Sequence, residues 1–208
     1  MFESISLIFI VTSLVLILTP GQDMMLVMSR SIAQGWRAGV ITAAGVSTGL
    51  LGHSLLAALG LGAVLLASEM VFVIIKYVGA AYLVYLGIRL LTGSHSDLDV
   101  KDMAVVPMRK LFFQGAFSNI SNPKITIFYF AYLPQFIPAG SGHPTLTLFG
   151  LGVAFALLTF MVKGPVGYGA GVLSGWLRAR PQVLSWVNRT SGVILVGLGL
   201  KLALARRS

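Results

Sequence analysis

The chain has 208 residues, of which 56% are hydrophobic and only 10% are Asp, Glu, Lys or Arg. Soluble domains carry charge on roughly a quarter of their positions, so this composition excludes a water-coated globule and makes lipid the solvent for most of the chain. The formal net charge of +9 does not point to nucleic acid: the basic residues cluster between apolar runs, as topology-setting cations facing anionic lipid do.

A membrane span needs about 20 mostly apolar residues. Six such stretches occur in order, at about 5–28, 38–66, 71–91, 111–133, 145–168 and 187–205. They predict an all-α integral membrane protein forming one domain over 1–208. Its halves cover about 1–92 and 111–208, joined by a polar linker at about 92–110. The first segment lacks a basic start, carries Glu3 and has no small-x-small cleavage site, so it is expected to stay as a span.

Near the end of the first segment stands Thr19-Pro20-Gly21-Gln22-Asp23. Proline lacks an N–H and clashes with the preceding turn, so a break is expected at Pro20 and Gly21. At membrane depth a broken backbone is tolerated only inside protein or along a watery cavity. The half-helix after the break offers free N–H groups suited to an anion. Asp23 lies in its first turn, where capping is one role and substrate or proton binding another.

In the second segment His53 is the one central side chain that titrates near neutrality, a candidate for coupling as well as for packing. In the third, Lys76 is expected to snorkel to the outer interface. The linker holds Asp97, Asp99, Lys101, Asp102, Arg109 and Lys110. In the fourth segment, Asn119-Ile120-Ser121-Asn122-Pro123-Lys124 places two amides and a cation beside a second proline. A Lys at mid-membrane costs about 2.5–3.5 kcal/mol on insertion scales. Lys124 is thus expected to hold a substrate carboxylate, to pair with Asp23, or to make a purely structural contact with Asp23 or with backbone carbonyls, with Asn122 bonding the carbonyls that Pro123 frees. In the fifth, Lys163 either marks the cytoplasmic helix end or lines the same cavity as Asp23.

Arg30 and Arg37 fall in the expected first loop, and Arg178, Arg180 and Arg189 in the fifth. The second and fourth loops lack Lys and Arg, which puts the linker in the cytoplasm and the N-terminus outside. Residues 83–90 match 195–202 at a constant offset of 112, with five identities and Arg89 facing Lys201. With Pro20 and Pro123 breaking the first helix of each half, this suggests two inverted three-helix repeats, a plan of many secondary transporters. An inverted second half also accounts for Lys201, Arg206 and Arg207 lying outside. GxxxG spacings at Gly35/Gly39, Gly45/Gly49, Gly167/Gly171 and Gly171/Gly175 fit a tight bundle and are compatible with a homodimer.

The Thr-Pro-Gly break resembles the signature of the lysine exporter and homoserine/threonine exporter (LysE/RhtB) family. So do Lys76-Tyr77-Val78-Gly79 through Tyr82-Leu83-Val84-Tyr85-Leu86-Gly87, and Phe113-Gln114-Gly115 through Asn122-Pro123-Lys124 to Leu133-Pro134-Gln135-Phe136. The resemblance implies a multi-pass exporter of amino acids or close derivatives in the bacterial inner membrane, driven by the proton gradient. It implies roles at Pro20, Gly21, Asp23, Asn122, Pro123 and Lys124. Two departures are Gln22, where the family has Pro, and Lys163-Gly164-Pro165, which suggests an acidic substrate or an added carboxylate contact. The chain has no cysteine and shows no metal-ligand cluster, phosphate loop or catalytic dyad, so no cofactor, metal or enzymatic activity is expected. A non-transporting scaffold, an embedded enzyme and a passive channel are the competing possibilities.

Overall fold

The computed structural model describes residues 2–19, 21–67, 69–92, 105–137, 141–172 and 181–204. Every regular element among them is helical: α1 (Phe2–Leu18), α2 (Gln22–Gln34), α3 (Trp36–Ala67), α4 (Glu69–Thr92), α5 (Met108–Ile120), α6 (Pro123–Ile127), α7 (Pro144–Val172) and α8 (Pro181–Leu204). A π-helical turn at Phe128–Tyr132 and a 3-10 turn at Leu133–Phe136 follow α6. Pro20, the linker acids, Arg178, Arg180, Arg206 and Arg207 lie outside the described residues.

Among the described residues three helices are long and apolar enough to cross a bilayer, over Trp36–Gly60, Val73–Thr92 and Pro144–Val172. Leu7–Leu18 and Gln22–Gln34 meet the same requirement as one span bent by 54°. The backbone therefore does break around Gly21, and again between Ile120 and Pro123, where Pro123 opens α6 as its first residue.

The first loop is a correction. Arg30 belongs to α2 and Arg37 to α3, with only Gly35 between the two helices. Gly35 adopts φ of +88°, and its N–H closes on the Ser31 carbonyl at 2.8 Å. This left-handed turn suits glycine alone at low cost. Apolarity ends at Met28 because Ser29 and Ser31 are polar, yet both are buried: they face protein and leave lipid to their neighbours. Ser31 donates through Oγ to the Gly167 carbonyl on α7.

The glycines explain how the rods approach. On α3, Gly39 lies against Gly167 and Ser31, while Ser54 lies against Gly152, so α3 and α7 run antiparallel. Gly49 of α3 touches Ala116 and Asn119 of α5. On α4, a Cβ at Gly87 would stand 2.7 Å from the Gly192 carbonyl oxygen; one at Gly199 of α8 would stand 2.8 Å from that of Ala80. Of the glycines in the expected GxxxG spacings, Gly39, Gly45, Gly49, Gly167 and Gly171 pack against other helices, Gly35 meets nothing within 4 Å, and Gly175 lies outside the described residues. Between the rods sits an aromatic core of Phe9, Phe128, Tyr129, Tyr132, Phe136 and Phe155, with Phe128 and Phe155 ring centres 4.5 Å apart.

Overpacking a tight contact costs about 1–3 kcal/mol. Gly87→Val and Gly199→Val are therefore expected to lower the thermal midpoint of the detergent-solubilised protein clearly. Gly197→Ala, whose added methyl would meet nothing within 4 Å, is expected to leave that midpoint almost unchanged in the same melt.

Candidate functional site

Each helix break frees backbone groups that lipid cannot satisfy, and here the two breaks face each other. α1 ends at Leu18, its last turn closed by Thr19 Oγ1 donating to the Val15 carbonyl at 2.7 Å. The carbonyls of Leu16 and Thr19 then receive the Lys124 amine at 3.3 and 3.1 Å. Lys124 comes from α6, 105 residues beyond Thr19 in sequence, and is buried. Gly21 makes room for it, since a Cβ there would stand 3.1 Å from Lys124 Nζ.

Asn122 directs that lysine. Its Oδ1 accepts the Lys124 backbone N–H at 3.1 Å, capping α6 with Pro123 at the first helical position. This corrects the expectation that Asn122 bonds freed carbonyls: proline at the helix start favours a cap acceptor just before it. Lys124 takes up the carbonyls instead, and they belong to the other break.

The start of α2 meets the end of α5. Gly21 precedes α2 in extended backbone and no side chain caps the helix, so Asp23 is not the cap that its position suggested. Its carboxylate turns outward into protein. Oδ1 accepts from Ser118 Oγ at 3.2 Å, and Oδ2 from Asn119 Nδ2 at 2.7 Å. Lys163 Nζ lies 3.4 Å from the same Oδ2. Gln22 adds a bond from Nε2 to the Ser118 carbonyl at 3.4 Å.

Asp23 is 2% exposed and Lys163 5%. Of the two positions open for Lys163, the structure therefore chooses the interior: it lies well inside α7, not at a helix end. Asp23 pairs with Lys163, and the Lys124 amine is spent on backbone. Both lysines nevertheless converge on the five-residue stretch 19–23.

His53 joins through Asn119. Its Nε2 lies 3.1 Å from the Asn119 carbonyl oxygen, while the Asn119 side chain binds Asp23. The imidazole stacks on Tyr129 at 5.5 Å between ring centres. Tyr129 donates its hydroxyl to the Gly152 carbonyl at 3.0 Å, with Ser54 Oγ 3.1 Å away. His53 Nδ1 and Asn119 Oδ1 are buried without a hydrogen-bond partner among the described residues. Such unpaired polar atoms are uncommon in a packed interior.

Ser118 is the residue that motif reasoning passed over, and Asn119, named within the motif, was assigned no role of its own. The signal was present: polar residues at four of the five positions 118–122 within an apolar segment. Which of them faced Asp23 depended on a contact across about a hundred residues.

Residues 14–206 match the family model described as LysE type translocator. The chain is 34% identical to the uncharacterized membrane protein YrhP of Bacillus subtilis (strain 168), over 96% of this chain and 98% of that protein. It is 32% identical to a homoserine/homoserine lactone efflux protein of Salmonella typhimurium, over 96% of both chains. With a leucine efflux protein of Salmonella choleraesuis it shares 26% over 94% of this chain and 92% of the other. No solved structure matches. A helical membrane protein whose family model covers nearly its whole length, the chain belongs to the LysE translocator family.

Proposed function

We propose that the protein exports amino acids or close derivatives across the bacterial plasma membrane by proton-coupled alternating access. The observation that carries this is the meeting of two broken helices around Asp23, Lys163 and Lys124, all three buried. Ionisable groups at membrane depth are expensive and mark solute or proton paths. Export as the direction rests on the efflux relatives.

The moving parts on this view are two inverted three-helix halves. One half comprises α1–α2, α3 and α4; the other comprises α5–α6 with its turns, α7 and α8. Contacts between α4 and α8 support the plan. Gly87 packs against Gly192 and Val196, and Gly199 against Ala80 and Val84. Adding the sequence offset of 112 to 80, 84 and 87 gives 192, 196 and 199, so one set of contacts maps onto the other with its partners exchanged. A two-fold axis in the membrane plane produces that exchange. The antiparallel pairs Gly39–Gly167 and Ser54–Gly152 repeat it at an offset of 113 (152 − 39 and 167 − 54).

In the proposed cycle Lys124 and the α2 start take the substrate carboxylate, and Asp23 takes its ammonium or the coupling proton. Asn122 and Pro123 hold Lys124 in place. Lys163 holds Asp23 when the site is empty, and His53 sets Asn119 from the α3 side. The N-terminus lies outside and the linker in the cytoplasm.

Asp23→Asn and Lys124→Gln are each expected to cut efflux from preloaded vesicles at least about tenfold, a barrier change near 1.4 kcal/mol, at equal protein level. Normal export by both variants contradicts the site assignment. Collapsing the proton gradient with an ionophore is expected to abolish efflux against a substrate gradient; a passive channel would keep downhill flux unchanged under the same treatment.

A further inference from the structure

Two fully buried serines join the halves on either side of the site. Ser31 of α2 donates through Oγ to the Gly167 carbonyl of α7. Ser54 of α3 lies 3.1 Å from the Tyr129 hydroxyl, which donates to the Gly152 carbonyl of α7 at 3.0 Å. The two accepting glycines are 15 residues apart (167 − 152), about 22 Å along a helix, and Lys163 lies between them. The Ser31 end is the linker end, because Gln34, one turn on, exchanges two bonds with the Val106 backbone at 3.0 and 3.1 Å. Glycine makes room for both contacts: Ser31 packs on Gly39, and Ser54 on Gly152.

The hydroxyls at the far end cannot make all their contacts at once. Ser54 and Tyr129 carry one hydroxyl proton each but stand in three contacts. Ser54 Oγ meets the Leu50 carbonyl at 2.8 Å, Tyr129 meets the Gly152 carbonyl, and the two hydroxyls meet each other. When Ser54 donates to Tyr129, the halves are linked. When Ser54 donates to Leu50 and Tyr129 to Gly152, each hydroxyl is satisfied within its own half and the link is gone. This contact can therefore open without leaving a buried donor unpaired, the costly outcome. Ser31 has the same freedom, since a helical serine can turn to the carbonyl four residues back, here that of Val27. Each contact also adjoins an irregular turn: Pro165 interrupts α7 two residues before Gly167, and Tyr129 belongs to the π-helical turn. Such interruptions are where helices bend.

We propose that Ser31 and Ser54 are the gate residues of the transport cycle. Ser31 holds the site shut toward the linker face, Ser54 toward the opposite face, and each lets go while the other holds. Both contacts are made in this structure, and Asp23 and Lys163 between them are buried. The proposal rests on the transport function above and assigns the residues that decide which face the site opens to.

The test places a single reporter thiol, Ser118→Cys, in the full chain and labels it with a membrane-impermeant maleimide in right-side-out and in inside-out vesicles. Adding Ser31→Ala is expected to raise labelling from the linker face at least about fivefold, the shift that one lost hydrogen bond brings, and to leave the opposite face unchanged. Adding Ser54→Ala is expected to raise labelling to the same degree from the opposite face alone. Thr159→Cys, one turn from Lys163 on α7, serves as a second reporter should the first fail to fold, and is expected to show the same sidedness. Counterflow of a labelled amino-acid mixture into preloaded vesicles is measured in parallel on the wild-type chain. With that counterflow present, labelling raised on both faces alike, on the wrong face or on neither overturns the gate assignment and leaves transport standing; a purely structural role for the serines gives one of these results. Absence of wild-type counterflow overturns the transport function and the gates with it.

Discussion

Two helix breaks that complete each other are the constraint on which the rest of this structure depends. Inside a bilayer every backbone carbonyl and N–H must find a partner within the protein. The end of α1 cannot supply one for the carbonyls of Leu16 and Thr19, and Lys124 from the second break does so. The start of α2 in turn rests on the end of α5 through Asp23, Ser118, Asn119 and Gln22. Each break is partly closed by its own half of the chain, through Thr19 at the first and Asn122 at the second, and completed by groups from the other half, so the two halves meet there. Gly21 is small because the lysine amine passes it, and Gly49 because Asn119 lies against it.

The same constraint explains why the polar groups sit where they do. A buried ion pair such as Asp23–Lys163 adds little to stability, since desolvation offsets its attraction. On the proposed function, its position beside two interrupted helices is explained by a solute that binds there. The surrounding shell is closely packed: Tyr129 is tied to Gly152 and stacked on His53, with the aromatic core behind it. A charged centre inside a well-packed frame is the arrangement that the proposed function expects of a solute site between two halves.

Much of this was legible from residue order. Long apolar runs located the rods, and proline beside glycine or asparagine located both breaks, because those residues act through local backbone chemistry. Asp23, Lys124 and Lys163 stood out because charge is rare in apolar sequence. What stayed hidden was pairing. Nothing local tells whether Asp23 meets Lys124 or Lys163, which lie 101 and 140 positions away. Averaged hydropathy also hid the true turn at Gly35, since Ser29, Ser31 and Gln34 read as loop although they face protein. Asn122 misled for a related reason: an amide can donate or accept, and only the direction of α6 decided that it accepts.

Accessibility of the break region tests the central claim most directly. The natural chain has no cysteine, so Ser118→Cys places a single, near-isosteric thiol against Asp23. The account predicts that a membrane-impermeant thiol reagent modifies it slowly, from the cytoplasmic face in one conformation and from the outside in the other, and that transported solute protects it. A thiol unreactive from both faces, or one labelled equally with and without solute, would contradict an interior site exposed in turn to each side.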